Sequence, residues 1–203
     1  MIKITFMGAG STVFLRNVLG DCIYTDALKG MEIALYDIDG QRLEQSAAIL
    51  EAINKGNGCP TSIRSYLGAE NRRKALSGAD FVINAIQVGG YDPCTITDFE
   101  IPKKYGLRQT IADTLGVGGV FRALRTIPVM LDFAKDMEEV CPDAWLLNYT
   151  NPMAMLTGAM LRMTSVKTVG LCHSVQVCAS TLLNELGMGY DDSVQWKIAG
   201  INH

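Results

Sequence analysis

Only two histidines occur in the chain, His173 and His203, and one of them directly follows a cysteine, Cys172. Thiolate and imidazole are ligands for borderline transition metals, whereas Mg2+ takes oxygen. Neighbouring residues at the end of an extended segment point to opposite sides. Cys172 and His173 are therefore expected to differ in role, and spacing alone leaves a buried thiol beside a surface histidine equally open. A second group lies near the start, Gly8-Ala9-Gly10-Ser11. Gly8 permits a tight turn, and Gly10 lets the backbone approach a pyrophosphate. A helix N-terminus after them supplies N–H groups and partial positive charge. The third glycine of that fingerprint is absent, with Val13 in its place. Asp37 lies further on than the usual ~20 residues, so the first helix or its loop is long. A carboxylate there hydrogen-bonds ribose hydroxyls and repels a 2′-phosphate, which favours NAD over NADP. The competing reading is a plain β–α turn, with Asp37 as a helix cap.

These residues need elements to hold them. Ile2 to Met7 reads as a strand, followed by the glycine turn and a helical stretch to about Leu28. Glu32 to Asp37 is a second strand, and a helix follows with apolar residues at Leu43, Ala47, Leu50 and Ile53. Ser62 to Tyr66 and Asp80 to Ile86 are further strands. Val117 to Val140 is helical, with a break or start expected at Pro128. Ala144 to Asn148, Thr168 to Cys172 and a helix after Ser174 continue the alternation. Alternating strands and helices imply an α/β, Rossmann-like, doubly wound and mainly parallel sheet. Open sheets of this class bind ligands at the carboxyl ends of their strands. Each motif follows a strand, so all are expected on one edge.

Composition excludes several classes. Nearly half of the 203 residues are apolar, and the formal net charge is -3. No Lys/Arg stripe marks a nucleic-acid partner, and Arg72-Arg73-Lys74 is expected to be a solvated helix face. No apolar run reaches the ~18 residues of a membrane span, and the short run Ile2 to Met7 does not resemble a signal peptide. A cytoplasmic protein with no membrane partner is expected. The six cysteines (22, 59, 94, 141, 172 and 178) contain no CxxC pair and are expected to be thiols. The apolar region from Val120 to Met137 suits either a core or a subunit interface, and a homo-oligomer is expected.

At motif level the chain resembles glycoside hydrolase family 4, the NAD- and metal-dependent glycosidases. The resemblance rests on Ile4-Thr5-Phe6-Met7-Gly8-Ala9-Gly10-Ser11, Gly89-Gly90-Tyr91, and Ala112-Asp113-Thr114-Leu115-Gly116-Val117-Gly118-Gly119. Asn148-Tyr149-Thr150-Asn151-Pro152, Gly170-Leu171-Cys172-His173-Ser174 and Gly200-Ile201-Asn202-His203 complete it. Their order and spacing cover essentially the whole chain. The Cys-His-Ser-Val and Ala-Asp-Thr stretches are most similar to the α-galactosidase branch. The family stands outside the two-carboxylate scheme of glycoside hydrolysis. The resemblance implies that NAD+ takes a hydride from C3 of the sugar, which acidifies the C2 proton. A divalent metal, usually Mn2+, polarises the C2 and C3 oxygens. Elimination at C1, addition of water and return of the hydride complete a hydrolysis without net redox.

Carried over residue by residue, the resemblance makes Cys172 and His203 the metal ligands and His173 the proton donor to the leaving group, a role suited to imidazole. Asn151 would hydrogen-bond sugar hydroxyls, with a turn before Pro152 as its plain alternative. Asp113 would orient and activate the base, with a cap as its alternative. Gly8, Ala9, Gly10, Ser11 and Asp37 would bind the cofactor. Asn148 and the Gly116–Gly119 loop would lie near cofactor or sugar, or simply make turns.

Two departures matter. Phospho-sugar members carry an Arg shortly after the Gly-Gly turn, but from Tyr91 to Leu107 this chain offers only Lys103 and Lys104. An unphosphorylated galactoside is therefore the expected substrate. The family's base is a tyrosine downstream of the second metal ligand, and Tyr190 lies upstream of it. The expectation is thus an N-terminal portion, with residues 1–190 as the NAD-binding domain, 191–203 opening a truncated substrate and metal domain, and little hydrolysis by itself. Two other readings remain: a lactate/malate-type NAD-dependent dehydrogenase using Arg122 or Arg125 for a substrate carboxylate, and a non-catalytic NAD-binding module.

Overall fold

The computed structural model of the chain describes residues 1–58, 61–111, 113–189 and 193–200. His203, the expected second metal ligand, and Tyr190 lie outside the described residues.

Six strands, β1 (Lys3–Met7), β2 (Glu32–Asp37), β3 (Ser62–Leu67), β4 (Phe81–Asn84), β5 (Trp145–Asn148) and β6 (Lys167–Gly170), form one sheet in the order β3-β2-β1-β4-β5-β6. All five pairings are parallel. This is the expected doubly wound fold, with its switch point between β1 and β4. Central strands are covered on both faces, which explains the apolar run Ile4, Phe6 and Met7 in β1, all buried. The edge strand β3 instead leaves Ser62, Arg64, Ser65 and Leu67 exposed.

Helices α1 (Thr12–Tyr24) and α2 (Gly40–Gly56) pack on one face. There Leu15, Leu19, Ile23, Leu43 and Leu50 meet Ile4, Phe6, Ile33 and Leu35. Helices α3 (Arg72–Leu76), α5 (Gly116–Val140) and α6 (Met153–Met163) cover the other face. There Met130, Phe133, Met137, Leu156 and Met160 surround Met7, Val82 and Leu146. Helix α4 (Ile96–Lys104) packs on α5, and α7 (Ser174–Glu185) follows β6. Among the described residues, no helix is long and apolar enough to cross a membrane.

Several boundaries differ from those read in the sequence. Helix α1 stops at Tyr24, and a separate short turn spans Asp26–Leu28. The helix expected to break at Pro128 runs unbroken from Gly116 to Val140. Pro128 and Leu124 are both exposed, so the Leu124 carbonyl that loses its N–H partner is open to water. Strand β6 ends at Gly170, which leaves Cys172 and His173 beyond the sheet. Of the solvated face expected at Arg72-Arg73-Lys74, Arg73 and Lys74 are exposed, but Arg72 is half-buried and, with Arg73, clasps α5. Arg72 Nε lies 2.6 Å from Asp136 Oδ2, and its guanidinium sits 5.0 Å from the Phe133 ring centroid. Arg73 bridges Asp136 and Glu139, and both carboxylates pull basic side chains across from α3.

Candidate functional site

Register places the loops. Met7 pairs with Asn84, Asn84 with Asn148, and Asn148 with Gly170, so four strands end in one row. The segments opening at Gly8, Ala85, Tyr149 and Leu171 therefore leave from a single edge. A buried polar network pins that row. Asn84 Nδ2 donates to Asn148 Oδ1 at 3.0 Å and to Thr150 Oγ1 at 3.2 Å, and the Thr150 hydroxyl donates to the Ile86 carbonyl at 3.1 Å. Asn148, which was expected near cofactor or sugar, has no exposed surface. Its amide serves this network and positions the loops instead.

At the first loop, Gly8 has φ +88°, and a Cβ there would lie 2.7 Å from the Ala85 carbonyl oxygen. Only glycine lets the β1 turn pass this close to β4. The N–H groups of Gly8 and Ala9 both donate to the Tyr36 carbonyl at 3.0 Å. Gly10 N–H donates to Asp37 Oδ2 at 2.6 Å, while Ile38 and Asp39 N–H donate to Oδ1 at 2.8 and 2.9 Å. Asp37 is thus brought against the glycine loop across 27 residues, the separation set by α1 and the Asp26–Leu28 turn. Ser11 stands at the N-cap position of α1, with no capping hydrogen bond from its side chain, and lines the cleft at the same edge. Val13 is 67% exposed, so nothing packs where a third glycine would be demanded.

A cleft of about 430 Å³ opens at this edge. Ser11 and Phe14 line one side, Asn151, Cys172 and His173 another, and Arg122 reaches in from α5. Ser11, Arg122, Asn151, Cys172 and His173, all singled out in the sequence, share this one cavity. His173 is the N-cap of α7, with φ -75° and ψ -13°. The opposite orientations expected for Cys172 and His173 required extended backbone, and at this helix entry both line the cleft. The Ser174 N–H at the start of α7 donates to Cys172 Sγ at 3.4 Å, an arrangement that suits a sulfur carrying negative charge. That donor chemistry fits a thiolate ligand for a divalent transition metal. Among the described residues, no group of three His, Cys, Asp or Glu assembles around it.

Asp113 lies behind the lining residues, with Asn151 Nδ2 donating to its Oδ2 at 3.5 Å. The Asn151 carbonyl accepts from Arg122 Nε at 3.1 Å. Burial pulls the Arg122 guanidinium below its ordinary value, and the Asp113 charge pushes the other way. Arg125, one turn on, is turned outward onto α4. Its fork grips Asp98 at 3.2 and 2.7 Å, its Nε donates to the Val88 carbonyl at 3.1 Å, and the Asp98 contact raises it. Sequence reading could not separate these two arginines, and only their packing does. It also missed Phe14 and Tyr149, whose rings meet edge-on at 4.8 Å in the cleft wall, and Gln87. All three stand within a few residues of a strand end or the glycine turn, which was the available signal.

The arrangement has known counterparts. The family model for family 4 glycosyl hydrolase matches residues 3–188. An α-galactosidase of Bacillus subtilis (strain 168) is 64% identical over 203 residues, 100% of this chain and 46% of that protein. An α-galactosidase of Rhizobium meliloti (strain 1021) is 41% identical over 202 residues, 99% of this chain and 40% of that protein. A 6-phospho-beta glucosidase from Thermotoga maritima, solved with NAD and glucose-6-phosphate, is 25% identical. It superposes with a TM-score of 0.76 over 93% of this chain and 44% of that one. The chain spans less than half the length of each of these proteins. With a match running almost from end to end, the chain belongs to family 4 of the glycosyl hydrolases.

Proposed function

We propose that this chain is the cofactor-binding part of an NAD- and divalent-metal-dependent α-galactosidase. Residues 1–190 bind NAD, and 191–203 open the substrate and metal domain. The observation that carries the reading is the shared cleft, lined by Ser11 of the glycine turn and Phe14 of α1 together with Asn151, Cys172 and His173. The α-galactosidase at 64% identity supports the substrate, and the NAD in the Thermotoga maritima structure supports the cofactor.

Bound NAD+ would supply a reversible hydride acceptor for C3 of the sugar, and a divalent metal such as Mn2+ would supply Lewis acidity at the C2 and C3 oxygens. Gly8, Ala9, Gly10 and Ser11 would take the pyrophosphate at the start of α1, where the helix end favours an anion. Asp37 retains lone pairs for a ribose hydroxyl, and its charge opposes a 2′-phosphate. Cys172 and His203 would hold the metal. His173 reaches into the cleft as an acid for the glycosidic oxygen. Asn151 offers its amide to sugar hydroxyls, and Asp113 accepts from that amide and orients it. Lys103 is exposed and paired with Glu100, away from the cleft lining, which supports an unphosphorylated substrate. Exposed Val117, Val120 and Leu124 on α5 support a homo-oligomer, checked by sedimentation.

The test is hydrolysis of p-nitrophenyl α-galactoside by the enzyme carrying this chain, with NAD+ and Mn2+ omitted in turn. Activity should vanish without either and return on adding both. Activity independent of NAD+ would overturn the reading. Survival of a 2-hydroxy-acid oxidation in EDTA would favour a dehydrogenase. NAD binding without any turnover would favour a non-catalytic module.

A further inference from the structure

Arg122 and Arg125 stand one turn apart on α5, but their donors are spent differently. A guanidinium carries five N–H donors in a planar fork. Arg125 directs its fork to Asp98 and its Nε to Val88. Arg122 makes one hydrogen bond among the described residues, from Nε to the Asn151 carbonyl at 3.1 Å. Its two terminal nitrogens have no partner there, although the side chain is half-buried and lines the cleft. Burying such a cation with open donors is costly unless a ligand or water supplies acceptors.

Its surroundings select the acceptor. The Asp113 carboxylate is close enough to act on Arg122 through space, yet the two form no direct ion pair. A bound phosphate or carboxylate would meet the Arg122 fork and also the Asp113 charge. A neutral diol avoids the repulsion from Asp113, and guanidinium N–H groups can donate to its two adjacent oxygens. Asn151 bridges the two residues, giving its carbonyl to Arg122 and its amide to Asp113 at 3.5 Å.

We propose that Arg122 is a specificity-determining residue that grips two adjacent hydroxyl oxygens of the sugar, beside Asn151, whose amide Asp113 holds from behind the cleft wall. The sugar class rests on the function proposed above, whereas the contact rests on the cleft itself. The test titrates methyl α-galactoside and its 2-, 3-, 4- and 6-deoxy analogues calorimetrically onto the wild-type protein, Arg122→Met and Arg122→Lys. Each titration is done with and without NAD+, and NAD+ affinity is measured separately. Arg122→Met should weaken the parent sugar about 10- to 100-fold, the range for hydrogen bonds to a charged group. It should also abolish the penalty for deoxygenation at two neighbouring positions while leaving that at the others. Arg122→Lys should recover only part of the loss, since an ammonium lacks the fork. NAD+ affinity should change less than about twofold.

An unchanged deoxy pattern in Arg122→Met would overturn the proposal, even if overall affinity fell through misfolding. So would a loss confined to NAD+, absence of galactoside binding by the wild type, or tighter binding of galactose 6-phosphate or galacturonate through Arg122. An Arg122-dependent deoxy pattern in a protein that fails to bind NAD+ would remove the functional reading and leave this contact standing.

Discussion

A methyl group at Gly8 would meet the Ala85 carbonyl at 2.7 Å, on a backbone with φ +88°. Gly8→Ala must therefore strain the turn and push β4 aside together. The expected loss is about 2 kcal/mol or more of stability, with weakened NAD+ binding. Chemical denaturation and cofactor titration of the variant check both. Asp37 is tested more gently. Its two oxygens accept from three backbone N–H groups, and an asparagine has only one accepting oxygen. Asp37→Asn should cost about 10-fold in NAD+ affinity and much less in NADP+ affinity, because the repelling charge has gone. Parallel titrations with both cofactors read the ratio, and an unchanged ratio would show that Asp37 serves only the loop.

Helix α5 is held by ion pairs near its middle and at its C-terminal end, and these are not equal. Asp98 is 3% exposed and faces Arg125, whereas the Arg73–Glu139 pair is solvated. Arg125→Met strands a buried carboxylate and should destabilise by about 3 kcal/mol or more. Adding Asp98→Leu should recover much of it, as a double-mutant cycle in urea would show. At the far end Cys141 caps α5 and is buried, which pushes its thiol up to about 11. A raised acid favours the folded state while neutral, so that contribution is complete below about pH 9, the ordinary thiol value in the unfolded chain. It is lost as pH climbs toward 11. Cys22, Tyr36 and Tyr149 are raised by burial in the same sense. The melting temperature should fall through this window, and less steeply in Cys141→Ala.

At the scale of the molecule, stability should be graded from the sheet outward. Ile4, Phe6 and Met7 in β1 are buried between two helical layers, whereas no described side chain of α7 is buried. Amide exchange should therefore be slowest in β1 and β4 and markedly faster in α7. Equal protection would mean that α7 is held by something these contacts do not show. The fold was legible because the apolar runs of β1 and β2 and the glycine turn at Gly8 are local patterns. A strand buried on both faces must be apolar along its length, and a β–α turn passing a neighbouring strand must be glycine. Boundaries were less legible. Pro128 does not end α5 because the exposed side tolerates a free carbonyl, and β6 stops short of Cys172. Residue types and order by themselves determined the parallel α/β class, the glycine turn after β1 and the candidates Asn151, Cys172 and His173. Tertiary structure alone decided that Asn148 is buried scaffold, that Arg72 clasps α5, and that Arg122 rather than Arg125 faces the cleft. Local patterns follow from the chain's own sterics and hydrophobicity. The partner that a charged side chain takes depends on which distant carboxylate or carbonyl the fold brings within reach.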